Sequence, residues 1–76
     1  MFERFICDFV YHQDHRIEMT EVIVTDRWEA YEWMERTFLE LHLDTSNTPD
    51  LLRLRAGDAV RPGPGIVWPA YRLLPT

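Results

Sequence analysis

Lysine is absent from this 76-residue chain, serine and cysteine occur once each, and no apolar run is long. Each shortage excludes something. A lone Cys7 rules out an intrachain disulfide, and its place in an apolar, strand-like stretch predicts a buried, inert thiol. Ser46, the sole serine, stands in a loop-forming stretch and in no nucleophile elbow, so serine-type catalysis is not expected. No apolar run approaches the roughly 20 residues that a membrane-spanning helix needs. The opening MFERFICDFV carries Glu3 and Asp8 inside its apolar stretch, where a secretion signal has an uninterrupted block. The expectation is a cytoplasmic protein forming one domain over residues 1–76, with 46% hydrophobic and 28% charged residues in the globular range.

Without lysine, all eight basic residues are arginines, which a GC-rich genome explains more simply than selection for planar, bidentate contacts. The charge is uneven. Residues 1–50 hold twelve acids against four arginines, and residues 51–76 hold one acid against four arginines, for a net charge of −5 overall. A duplex binder presents a broad basic footprint, so this acidic body with a small basic end disfavours direct nucleic-acid binding.

What is present is alternation. From Glu3 to His12, Phe5, Cys7, Phe9 and Tyr11 fall on one side, and Arg4, Ile6, Asp8, Val10 and His12 on the other. A polar cluster, His12 to His15, then separates this strand from a second, Arg16 to Thr25, and the two read as an antiparallel hairpin. In the second run the apolar parity changes from Ile17 and Met19 to Val22 and Val24, which a β-bulge near Thr20 and Glu21 would explain.

Asp26 and Glu29 have the spacing of a capping box, so the strand should hand over to a helix from Asp26 to His42. Trp28, Tyr31, Met34, Phe38, Leu41 and Leu39 form its expected core stripe, and Glu29, Glu32, Trp33, Arg36 and Glu40 its solvent face. Glu32 precedes Arg36 by four residues, the favourable order for a helical ion pair. After a turn-forming loop, Asp44 to Asp50, the run LLRLRAGD reads as a strand with Arg53 and Arg55 outward. The alternative is a short helix capped by Thr48. RPGPG, from Arg61 to Gly65, reads as irregular. IVWPAYRLL reads as a last extended run, with Pro69 marking an edge strand. The order β-β-α-β-β predicts a small α+β fold, an antiparallel sheet with one amphipathic helix on one face.

Candidate chemistry is thin. His12, His15, Asp8 and Asp14 lack the spacing and partners of a metal site and serve better as turn residues, while His42 fits the carboxyl end of the helix. The prolines of RPGPG remove the amide donors that a phosphate cradle requires. A solvated ridge of carboxylates does not raise a pKa as acid catalysis demands. No enzyme, cofactor or metal is expected. The remaining signal is Trp33 amid Glu29, Glu32, Arg36 and Glu40, a pattern suited to a protein interface with a basic partner.

With its acidic body and with FERFICDFVYH, DRWEAYEWMERTFLELH and IVWPAYRLL as strand, helix and strand, the chain resembles the small anti-CRISPR proteins of phages. That resemblance, of size, acidity and architecture without a shared motif, implies a non-enzymatic inhibitor that binds a nucleic-acid-handling Cas complex. Two other readings stand beside it. One is a self-associating structural or regulatory subunit, a homodimer meeting through Trp33 or through the edge with Trp68 and Tyr71. The other is a weak nucleic-acid binder using Arg53, Arg55, Arg61 and Arg72.

Overall fold

A computed structural model of the chain describes residues 1–44, 47–57 and 60–74. Strands β1 (Glu3–Tyr11), β2 (Arg16–Val24), β3 (Leu51–Gly57) and β4 (Pro62–Pro69) form one antiparallel sheet in the order β2-β1-β3-β4. Helix α1 (Arg27–Asp44) lies between β2 and β3 in sequence, and a one-turn 3₁₀ helix, Ala70–Leu73, follows β4. The small α+β fold expected from the sequence is the one observed, with LLRLRAG a strand and not a helix. None of the described helices is long and apolar enough to cross a membrane.

Alternation along β1 builds the core. Phe5, Cys7, Phe9 and Tyr11 are buried on the helix side, beside Val22 and Val24 of β2 and Leu52 and Leu54 of β3. From α1 come Ala30, Met34 and Phe38, spaced four residues apart along one line of the helix and buried together with these strands. The capping box forms with one variation. The Glu29 amide donates to Asp26 Oδ1 at 2.9 Å, while the Glu29 carboxylate reaches one residue further back and accepts from the Thr25 amide and hydroxyl.

Three expectations fail, the second in part, for physical reasons. No bulge interrupts β2, since its register against β1 is continuous from Glu3↔Val24 to Tyr11↔Arg16. Its apolar parity changes because Val22 and Val24 turn to the core while Ile17, Met19 and Ile23 stay on the other face, exposed. RPGPG is strand from Pro62 onward, since proline's fixed φ suits an extended strand whose outer edge needs no donor, but its register against β3 shifts between Gly65 and Pro62, so the expected irregularity survives as a break in pairing. Conversely, the last extended run stops at Pro69, where Ala70 donates to the Asp50 carbonyl at 3.0 Å and the chain coils.

Asp50, read from the sequence only as part of a loop, ties three segments together. Its amide donates to the Val10 carbonyl at 2.7 Å, its Oδ2 accepts from the His12 amide at 2.9 Å, and its carbonyl receives Ala70. The irregularity in the sheet falls instead between Arg55 and Gly57, where Gly57 holds φ of 100° and a side chain would strike the Arg61 carbonyl.

Candidate functional site

The helix covers one face of the sheet, and the register lays out the other in rows. Across β2, β1, β3 and β4 these are Glu21, Ile6, Arg55, Gly65; then Met19, Asp8, Arg53, Val67; then Ile17, Val10, Leu51, Pro69; with Ile23 beside Arg4 at the end of β2. No helix lies on this face among the described residues, yet Ile6 and Asp8 are fully buried. Their cross-strand neighbours are the long side chains of Glu21, Met19, Arg53 and Arg55, which close over them.

Asp8 is the electrostatic centre. Its Oδ2 accepts from Arg53 Nε at 2.6 Å and from Arg55 Nε at 2.9 Å, and its Oδ1 accepts from Arg55 Nη2 at 3.2 Å. Arg55 also places Nη2 3.4 Å from the Met19 sulfur. Gly65 makes this possible, because a Cβ there would sit 2.6 Å from Arg55 Cγ. One carboxylate faces two guanidiniums, so the cluster keeps one positive charge in excess. Arg53 uses only Nε, and among the described residues its two Nη groups make no hydrogen bond, leaving charged donors aimed away from the cluster.

Around this charge stand Ile17, Met19, Ile23 and Val67, each between 51% and 60% exposed. Four such side chains expose apolar surface on the order of 400 Å² in total, divided by Glu21 between Met19 and Ile23 and by Arg53 between Asp8 and Val67. The face thus carries apolar side chains on both its flanks, along β2 and on β4, with a half-sheltered cation between them.

The residues expected to form a contact on α1 are only partly brought together. Glu29, Glu32, Arg36 and Glu40 are exposed, but Trp33 is half-buried against the core, its ring 6.5 Å from that of Phe9. The expectation of a solvent-facing Trp33 is therefore corrected, and so is that of a core Trp28, which is 72% exposed. The cause is the buried line of Ala30, Met34 and Phe38, which fixes the side of the helix that faces the sheet. At 100° per residue Trp33 lies about 60° from Ala30 and Trp28 about 160°. Glu29 is occupied by its cap, and its hydrogen bonds from Thr25 hold its carboxyl below the ordinary value. Among the described residues Glu32 and Arg36 make no ion pair.

Other reactive groups are quiet. Burial, reinforced by Asp8, pushes the Cys7 thiol up to about 12. Burial also raises the Tyr11 phenol, whose ring lies 4.2 Å beneath the Arg16 guanidinium, and, with Glu35, the Tyr31 phenol. Among the described residues no group of three or more His, Cys, Asp or Glu side chains is placed to hold a metal ion. Arg53 and Arg55, candidates for phosphate contact in the sequence, are both engaged by Asp8. The signal for this cluster was an acid within an apolar strand and an Arg-x-Arg strand, each on the face opposite its apolar set. Only the pairing of β1 with β3 joins them.

No family model matches the chain, and comparison with curated proteins and with solved structures finds no match either.

Proposed function

We propose that this chain works by binding another protein, without chemistry of its own, and that it docks through the uncovered sheet face. The observation that carries the reading is the exposure of Ile17, Met19 and Ile23 on β2 and Val67 on β4, on either side of the Asp8, Arg53 and Arg55 cluster. Sheets bury apolar faces against another layer, and on this face the layer is missing among the described residues. A fitting partner presents apolar side chains and one carboxylate to meet the spare Arg53 donors, as tightly packed, charge-matched interfaces do. A second copy related by a two-fold axis would set the same net-positive cluster against itself, which favours a different protein over self-association.

An inhibitor of a nucleic-acid-handling Cas complex, which the anti-CRISPR resemblance implies, is the second reading. The exposure of Glu29, Glu32 and Glu40 favours it, and α1 carries five carboxylates against two arginines. Those acids would steer the chain toward a basic surface. Trp33, turned inward, is not its anchor.

The two readings separate by affinity capture from the producing cells with wild type, an Ile17→Asp/Val67→Asp pair and a Glu32→Lys/Glu40→Lys pair, all at exposed positions. The sheet-face reading requires that the first pair lose a protein that wild type and the second pair retain. Loss by the helix pair alone would move the contact to α1. Sedimentation of the purified chain as a dimer that Val67→Asp dissociates would replace both readings with self-association.

A further inference from the structure

We infer that the groove between the first turns of α1 and the end of β4 is a binding site for a small organic anion that carries a planar ring. It lies on the helix side of the sheet, away from the proposed docking face, and stands independently of it. The groove encloses about 380 Å³ and is lined by Trp28, Tyr31, Trp68 and Ile66, with Arg27 and Arg72 beside them. A recess of about 140 Å³ that shares Arg27 and Ile66 extends it toward the β3–β4 hairpin. This is the size and lining typical of small-molecule sites, apolar and aromatic walls with a few charged groups.

The aromatic groups are arranged for stacking. Tyr31 and Trp68 pack at 5.5 Å between centroids, tilted by 34°, and Trp28 stands 72% exposed as an unpacked wall. The Trp68 indole N–H is buried and has no acceptor among the described residues.

Charge selects the class. In a chain of net charge −5, no carboxylate of the described residues lines this groove, though Glu3 and Asp26 line the adjoining recess that shares Arg27 and Trp28. Arg4 and Arg16 pair with acids, Arg53 and Arg55 share Asp8, and Arg61 has a partner. Among the described residues, the side chains of Arg27, Arg36 and Arg72 make no ion pair or hydrogen bond, and two of these three guanidiniums flank the groove. A planar ring stacked on the indoles, with its anionic group held by Arg27 and Arg72, uses every unusual feature of the place.

The test titrates the isotope-labelled chain with adenosine monophosphate and with indole-3-acetate, each against an uncharged counterpart, adenosine or tryptophol. The readout is the set of three indole N–H resonances. At least one anion should bind with a dissociation constant below about 1 mM, and its uncharged counterpart about tenfold more weakly. Trp28 and Trp68 should shift, while Trp33, packed on the far side against Phe9, stays in place. Binding by the nucleotide alone would identify a phosphate ligand, and by indole-3-acetate alone a carboxylate. Trp28→Ala and Arg72→Ala, both at exposed positions and so compatible with folding, should each weaken binding about tenfold. The inference is overturned if neither anion moves these resonances at about 10 mM. It is also overturned if charged and uncharged ligands bind alike, or if Trp33 shifts in step with the others.

Discussion

Replacing Asp8 with alanine strips the sheet face of the one buried carboxylate among the described residues and leaves two guanidiniums facing each other. Removing one partner from a buried charge pair costs about 3 to 5 kcal/mol, because the remaining charge has lost its solvent without compensation. The lower end applies here. The Arg53 side chain is 36% exposed and can turn to water, whereas Arg55, at 17%, has less freedom. A loss of about 3 kcal/mol is large against the roughly 4 to 11 kcal/mol expected for a domain of this length. Urea unfolding followed by tryptophan fluorescence would read it as a midpoint lower by about 3 M at an m-value near 1 kcal/mol/M, with the slope unchanged. Asp8→Asn, which keeps an acceptor but not the charge, should fall between wild type and alanine. Arg55→Ala should cost more than Arg53→Ala. A midpoint shift under about 0.5 M for Asp8→Ala would refute the reasoning, since it would mean that the carboxylate is hydrated and unpaired.

Trp33→Ala should destabilise by about 2 kcal/mol, less than a fully buried tryptophan, while Trp28→Ala stays within about 0.5 kcal/mol. Thermal melts of the two variants check this contrast. Glu29 has its folded pKa lowered by Thr25, so its contribution to stability is present above the ordinary glutamate value of 4.5 and is lost as pH falls through the lower folded value. Urea midpoints measured from pH 6 down to pH 3 should fall more in wild type than in Glu29→Gln. The Cys7 thiol, pushed up to about 12 by burial and Asp8, should resist alkylation in the folded chain at pH 8 and react once urea unfolds it, as mass spectrometry would show.

Much of the architecture was legible because alternation is a local property. β1 announces its core face in Phe5, Cys7, Phe9 and Tyr11, and Asp26 with Glu29 announces the helix start. What sequence hides is which elements meet. The parity change in β2 was legible, but its cause was not. Ile17 and Met19 read as core residues in search of a bulge when they belong to a second apolar face. Asp8 and Arg55 are 47 residues apart, and nothing local joins them until β1 pairs with β3. On α1, alanine carries little weight in an apolar stripe, yet Ala30 lies on the buried line with Met34 and Phe38, a line nearer Trp33 than Trp28. RPGPG reads as a breaker because proline lacks a donor, a lack that matters little on an outer edge.

Site-specific photocrosslinking in the producing cells tests the central claim most directly, with the photoreactive residue placed at Met19 on the sheet face or at Glu40 on the helix ridge. The docking proposal predicts that the Met19 position captures one defined protein, that the Ile17→Asp/Val67→Asp background abolishes the adduct, and that the Glu40 position captures none. An adduct from Glu40 alone, or a Met19 adduct indifferent to those substitutions, would contradict it.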